Sequence, residues 1–145
     1  MKYTCSIVID LPRQRVVELF DDADSLQKWQ PTLENVEYLS GEPGQPQSKS
    51  RLTFNENGRK MEMIETVLVR DLPNELTMSF ITNGVDNHNI NRFTEEGPGK
   101  TRWTQETEFK FSGFMRVMAF FMGGAFEKET RKTMEQFKTF AESQG

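Results

Sequence analysis

The chain has 145 residues, 35% of them hydrophobic and 28% charged, with a formal net charge of -4. This length suits a single domain, residues 1–145, with a sizeable core and no linker. The acidic balance, with no Lys/Arg cluster interleaved with aromatics, excludes nucleic acid as a partner and predicts repulsion from an anionic membrane. The lone cysteine, Cys5, rules out an internal disulfide and a cysteine-based metal site, and no signal peptide is expected before the first structured segment. A cytoplasmic location is expected.

Residues 2–10 alternate Tyr3, Cys5, Ile7 and Ile9 against more polar neighbours, which predicts a strand. Leu11-Pro12 ends it, and Pro12 is placed to open a helix. Val16, Val17, Leu19 and Phe20 then give helical spacing up to Asp21-Asp22. A second short helix, Ser25 to Gln30, carries Leu26 and Trp29 and stops at Pro31. From Asn35 to Ser112 the period changes to two, with turn residues at 41–46, 55–58, 72–74, 83–84 and 97–99. Six strands fit between those turns as antiparallel hairpins, so the sheet has seven strands with the first.

The last hairpin has one self-consistent register. With Phe93 opposite Trp103, Asn91 faces Gln105, Asn89 faces Thr107 and Asn87 faces Phe109 on one side. His88 then faces Glu108 and Asp86 faces Lys110 on the other, as a solvated charge ladder. A one-residue slip would set Trp103 and Phe109 beside Arg92 and Asp86. The inner face therefore mixes Phe93, Trp103, Phe109 and Phe111 with Asn87, Asn89, Asn91, Gln105 and Thr107. Two explanations stay open: amides bonded to backbone and ordered water, or amides that orient a ligand. Asn91→Leu separates them, costing stability only if the amide is bonded within the core.

The preceding strands add Met61, Met63, Val67, Val69, Leu76, Met78 and Phe80 to the same face, and alternation turns Glu65 inward among them. A carboxyl enclosed by methionines and aromatics has its ionised form disfavoured, which raises its pKa and equips it for acid/base work or ligand bonding. A bulge near Ile64 or an open strand end would remove that environment.

Residues 114–126, FMRVMAFFMGGAF, are apolar almost all round and open a helix whose second half keeps Met134, Phe137, Phe140 and Ala141 on one face. A surface helix needs only one apolar stripe, so the first half is expected to be enclosed or to line a cavity. It is too short to cross a bilayer, which takes roughly 20 apolar residues. Gly123-Gly124, at about 1 kcal/mol each against alanine, invite a kink that admits a ligand or a close approach to Trp29 and the turn near Pro31.

Strand, two short helices, six antiparallel strands and a long C-terminal helix is an order in which a curved sheet wraps around that last helix. This order, with the segments IDLPRQRVVELFDDADSLQKWQP, GEPGQPQSKSRL and FMGGAFEKETRKTMEQFKTFAE, resembles the START-like proteins, also known as SRPBCC or polyketide cyclase/dehydrase and lipid-transport proteins. The resemblance covers essentially the whole chain and looks most like small bacterial members. It implies an α+β helix-grip fold: a seven-stranded curved antiparallel sheet around a long C-terminal helix, with two short helices after strand 1. It also implies hydrophobic-ligand carriage, cyclisation, hydrolysis or chaperone-ATPase activation as candidate activities, among which fold alone does not choose.

Catalytic constellations are scarce. The only histidine, His88, lies on the predicted outer face, so a histidine metal site, a Ser-His-Asp triad and a Cys-His pair lack a base. No glycine loop cradles a phosphate, and no cofactor is implied. The leading reading is binding of a small hydrophobic molecule between sheet and C-terminal helix. Trp29, Met63, Phe80, Phe93, Trp103, Met118, Phe121 and Met122 would form the walls, and Glu65, Asn87, Asn91 and Gln105 the polar contacts. The alternatives are a cyclase or dehydratase in which Glu65 or an asparagine polarises a carbonyl, and a protein-binding module. A cyclase calls for two inward ionisable groups. A chaperone activator calls for an outer patch, where Arg102, Glu106, Glu108 and Lys110 instead mix their signs.

Overall fold

The computed structural model describes residues 1–145. In chain order the elements are β1 (Lys2–Ile9), α1 (Arg13–Phe20), a 3-10 turn (Ala23–Ser25), α2 (Leu26–Trp29), β2 (Leu33–Ser40), β3 (Lys49–Glu56), β4 (Arg59–Asp71), β5 (Glu75–Thr82), β6 (Val85–Gly97), β7 (Lys100–Phe111), α3 (Phe114–Met122) and α4 (Ala125–Gln144). All seven strands join one antiparallel sheet in the order β1-β7-β6-β5-β4-β3-β2. Strands β2 to β7 form the expected meander, because each connection is too short for a crossover. Strand β1 docks beside β7, and α4 packs against β1, α1 and α2. This is the helix-grip arrangement that the order of elements predicts.

The last hairpin has the register read from sequence, with Phe93 opposite Trp103, Asn91 opposite Gln105, Asn87 opposite Phe109 and His88 opposite Glu108. The second helix is shorter than expected. Asp22 accepts from the Asp24 N–H at 3.0 Å and from the Ser25 hydroxyl at 2.7 Å, which holds residues 23–25 in a tight turn before the single turn of α2.

Three expectations need correction. A bulge between Val67 and Val69 turns Val69 away from the concave face, opposite Thr77, where it is 40% exposed. The C-terminal helix is two helices, because Gly123 takes φ 55° and ends α3 before Gly124 starts α4. Nothing lies within 4 Å of a Cβ placed at either glycine, so neither makes room for Trp29. The third correction is that α3 is not enclosed. Gly113 at φ 58° turns the chain outward after β7, and Phe114, Phe120 and Phe121 stand 73%, 83% and 77% exposed. Periodicity reports how apolar a helix is around its circumference and says nothing of which elements are near enough to cover it.

What α3 does touch is the β5–β6 turn. A Cβ at Gly84 would come within 2.9 Å of Met115 Cγ and 3.0 Å of the Ser112 carbonyl oxygen, so only glycine, here at φ 71°, fits beneath the helix.

The sealed core lies under α4. Phe137 and Ala141 are fully buried, and Phe137 meets Phe20, Trp29 and Trp103 with ring centroids 5.4, 5.0 and 5.4 Å away. Phe20 also meets Phe93 at 5.0 Å and Trp103 at 5.1 Å, edge to face. Phe137→Ala should lower the unfolding free energy by about 3–5 kcal/mol in urea titrations, from lost burial and the cavity left behind. Phe120→Ala, on the open side of α3, should stay within about 0.5 kcal/mol of the parent.

Candidate functional site

The concave face divides into a sealed half and an open half, and the strand register decides which residues fall in each. In the sealed half, Asn91 has no exposed surface. Its amide nitrogen donates to the Leu76 carbonyl at 3.1 Å and to Asn89 Oδ1 at 3.0 Å. Its oxygen accepts from Trp103 Nε1 at 2.9 Å and Gln105 Nε2 at 2.8 Å. Thr107 completes the chain by donating to Gln105 Oε1 at 3.3 Å. Both donors and both acceptor positions of Asn91 are thus taken by the protein. Trp29, Phe93 and Trp103 belong to the same sealed cluster, and the Trp29 indole N–H is shielded there without an acceptor.

The open half is built on β3 to β7 beside α3. One row across the sheet runs Ser50, Glu65, Phe80, Asn87, Phe109, because these residues are successive register partners. Met63 on one side of Glu65 and Val67 on the other share its face. Glu65 has no ion pair and no hydrogen bond to the protein, and burial pushes its carboxyl from 4.5 up to about 7. Asn87, two strands away across the Phe80 ring, holds its Oδ1 out of solvent with no partner. The two polar groups are about 10 Å apart at the backbone, from strand spacings of about 4.8 Å. Met63, Phe80, Asn87 and Gln105 are all partly exposed.

At the α3 end the open half meets a second aromatic group. Phe126 packs on Phe109 at 4.8 Å and on Phe111 at 5.3 Å, and Phe109 stacks on Tyr3 at 6.1 Å. The Tyr3 hydroxyl bonds Thr130 Oγ1 at 2.7 Å and the Phe126 carbonyl at 3.1 Å, which ties β1 to the first turns of α4. Burial raises the pKa of that phenol.

Among the residues singled out from sequence, Met63, Glu65, Phe80 and Asn87 come together in the open half. Trp29, Asn91, Phe93 and Trp103 form the sealed core, and Gln105 bridges the two. Met118, Phe121 and Met122 stand on the exposed face of α3, apart from both. Ser50 was missed. The two-residue Asn57-Gly58 turn fixes Glu56 opposite Arg59, and counting back along that hairpin reaches Ser50 opposite Glu65.

The convex face is an array of ion pairs: Arg92 with Glu106 at 2.6 Å, Arg102 with Glu96 at 2.8 Å and Lys2 with Glu108 at 3.1 Å. A shallow depression of about 560 Å³ there is lined by Thr4, His88, Ile90 and Glu106 and holds no enclosed acid. No three His, Cys, Asp or Glu side chains converge as a metal site. Cys5 is buried, and burial raises its thiol pKa, so it is a poor nucleophile.

A curved antiparallel sheet that grips one helix and leaves half of its concave face open defines the helix-grip class. The chain belongs to the family described as polyketide cyclase / dehydrase and lipid transport, which matches residues 1–142. No curated protein sequence matches it. Among solved structures, a Thermus thermophilus protein superposes with a TM-score of 0.79 at 15% identity, covering 100% of this chain and 99% of that one. An aromatase/cyclase from a Streptomyces species gives 0.76 at 13%, over 98% and 93%. Norcoclaurine synthase from Thalictrum flavum, in complex with dopamine and hydroxybenzaldehyde, gives 0.72 at 12%, over 97% and 85%. At these identities the likeness is one of fold.

Asn91→Leu should destabilise the protein by about 2 kcal/mol or more in urea, since Trp103 and Gln105 lose a buried acceptor. Adding Trp103→Phe should recover part of that loss as a non-additive term. For Glu65, the folded chain holds a proton between about 4.5 and about 7 that the unfolded chain has released. Its contribution to stability is therefore full below about pH 4.5 and declines as pH rises through about 7, by up to about 3 kcal/mol. Glu65→Gln should remove that decline, and a carboxyl-carbon NMR titration of the parent should give a midpoint near 7.

Proposed function

We propose that the open half of the concave face binds a small hydrophobic or lipid-like molecule bearing a hydroxyl or carbonyl group. The observation that carries this reading is Glu65: a carboxyl on an apolar surface, without a protein partner, with its ionised form disfavoured. A neutral carboxyl donates one hydrogen bond and accepts another, which suits a hydroxyl or a carbonyl and not a cation. The unpartnered Asn87 oxygen, across Phe80, supplies a second polar point for a ligand lying along that row. Met63, Phe80 and Phe109 supply apolar contact, with methionine adapting to varied shapes. The family description, which joins cyclisation, dehydration and lipid transport, agrees with a lipophilic cargo. No helix is long and apolar enough to cross a membrane.

The same carboxyl favours a second reading, a cyclase or dehydratase in which Glu65 gives and takes a proton near neutral pH. Binding ranks above it because the row Ser50, Glu65, Phe80, Asn87, Phe109 holds a single ionisable group. The convex face, with its charges paired across strands, gives less support to a chaperone-activator role.

Native mass spectrometry of gently purified protein, followed by solvent extraction, tests the reading. A stoichiometric lipophilic species should accompany the parent and be lost in Met63→Trp, which fills the open half. Glu65→Leu should weaken a hydroxylated or carbonyl ligand about tenfold, the equivalent of one hydrogen bond, and leave a pure hydrocarbon unaffected. An apo mass in both proteins, with no thermal stabilisation by lipids or aromatic polyketides, would sink the proposal.

A further inference from the structure

Helix α3 has no partner over most of its circumference. At about 100° per residue its exposed side chains, Phe114, Val117, Phe120 and Phe121 with the edges of Met118 and Met122, span an arc of roughly 200°. Only Ala119 is buried, opposite that arc. Scattered apolar residues on a surface are ordinary, whereas a contiguous patch marks an interaction site.

The size of the patch separates the occupants. A nine-residue helix is about 14 Å long and 10–12 Å wide, so its open side offers roughly 250 Å². A stable protein interface buries about 800 Å² on each partner. A second copy or another protein would need three times the surface that α3 presents. A lipid surface sets no such threshold, because it requires no matching shape and accepts apolar side chains to a depth of about 5–10 Å.

The local charge has the right sign for it. Between Glu108 and Glu127 the chain carries two cations, Lys110 and Arg116, and no carboxylate. The α3 segment itself therefore carries only positive charge, although the whole chain is at -4. Repulsion inferred from net charge acts at long range and is screened beyond about 8–10 Å, so contact at this end is governed by the local cations. Arg116, on α3 itself, is the cation nearest the phenylalanines; Lys110, exposed and 3.6 Å from Glu108, has a stem long enough to exchange that partner for a phosphate while Phe120 and Phe121 sit deeper. Gly113 and Gly123, both at positive φ, carry the chain out to α3 and back, leaving the helix projecting from the sheet end.

We propose that α3 is a membrane-docking helix. It lies in the interface of a phospholipid bilayer, with Phe114, Phe120 and Phe121 among the acyl chains and Lys110 and Arg116 at the phosphates. This proposal is independent of what the concave face binds, and its test needs no cargo.

Co-sedimentation with vesicles of two parts phosphatidylcholine to one part phosphatidylglycerol tests it. The parent should bind at millimolar lipid, and the double variant Phe120→Ser/Phe121→Ser should bind at least about tenfold more weakly, with an unchanged melting temperature because both side chains are exposed. Arg116→Ala should lose about fivefold on these vesicles and nothing on pure phosphatidylcholine. In Phe121→Trp, emission should shift to the blue only when vesicles are added, over a constant background from buried Trp29 and Trp103. The proposal is overturned by absence of vesicle binding, or by equal binding of the double variant. A concentration-dependent dimer in analytical ultracentrifugation that the double variant abolishes would assign the face to a second copy. Phe121→Trp emission that is already blue without vesicles would assign it to the chain's own cleft. Both results refute docking.

Discussion

One helix has one apolar stripe, and a seven-stranded sheet is wider than that stripe. Met134, Phe137 and Ala141 of α4 bury themselves against β1, α1 and α2, and the aromatic cluster around Phe137 closes there. The same geometry leaves the concave side of the middle strands without a helix of its own. Exposure of Met61 and partial exposure of Met63 and Phe80 follow from this mismatch of widths. The open half is a consequence of the grip.

The two halves treat polar groups in opposite ways. Asn91 lies where water cannot reach, so each of its hydrogen-bonding positions must be met by the protein, and Leu76, Asn89, Trp103 and Gln105 meet them. That amide cements a core, with each of its hydrogen-bonding positions taken by the protein. Glu65 and Asn87 lie on the same face a few residues further along the strands, and no protein group answers them. The carboxyl responds by favouring its neutral form, since desolvation acts on it with no cation nearby to offset it. Polar groups of similar kind on one sheet face thus divide into structural and available sets by whether the protein itself supplies their partners.

Helix α3 shows the same logic outside the sheet. Its residues are as apolar as the core, yet between glycines at both ends only its Ala119 side is covered, with Met115 against the β5–β6 turn. A chain that keeps three phenylalanines in water bears a hydrophobic cost that packing against the sheet would have relieved. Retaining that exposure is intelligible when the helix has a destination outside the protein, and Arg116, the one charge on α3, suits the membrane-docking proposal.

Much of this was legible in the sequence because it depends on local spacing. Alternation and turn residues located every strand. The charge and aromatic pairing of residues 85–111 selected one register that turned Asn87, Asn91 and Trp103 to one face, and alternation along β4 turned Glu65 to the same face. The inward position of Glu65 among apolar neighbours was itself a local property, and its raised pKa follows from it. What only the tertiary structure decided were matters of distance between elements. Which inward amides are sealed depends on what packs over them and answers them, the bulge that turned Val69 outward needed the β4–β5 pairing, and the exposure of α3 depends on the direction set at Gly113 and Gly123. Periodicity assigns a side chain to a face. Whether anything covers that face is settled by the rest of the chain, because burial is a property of neighbours brought together across long stretches of sequence.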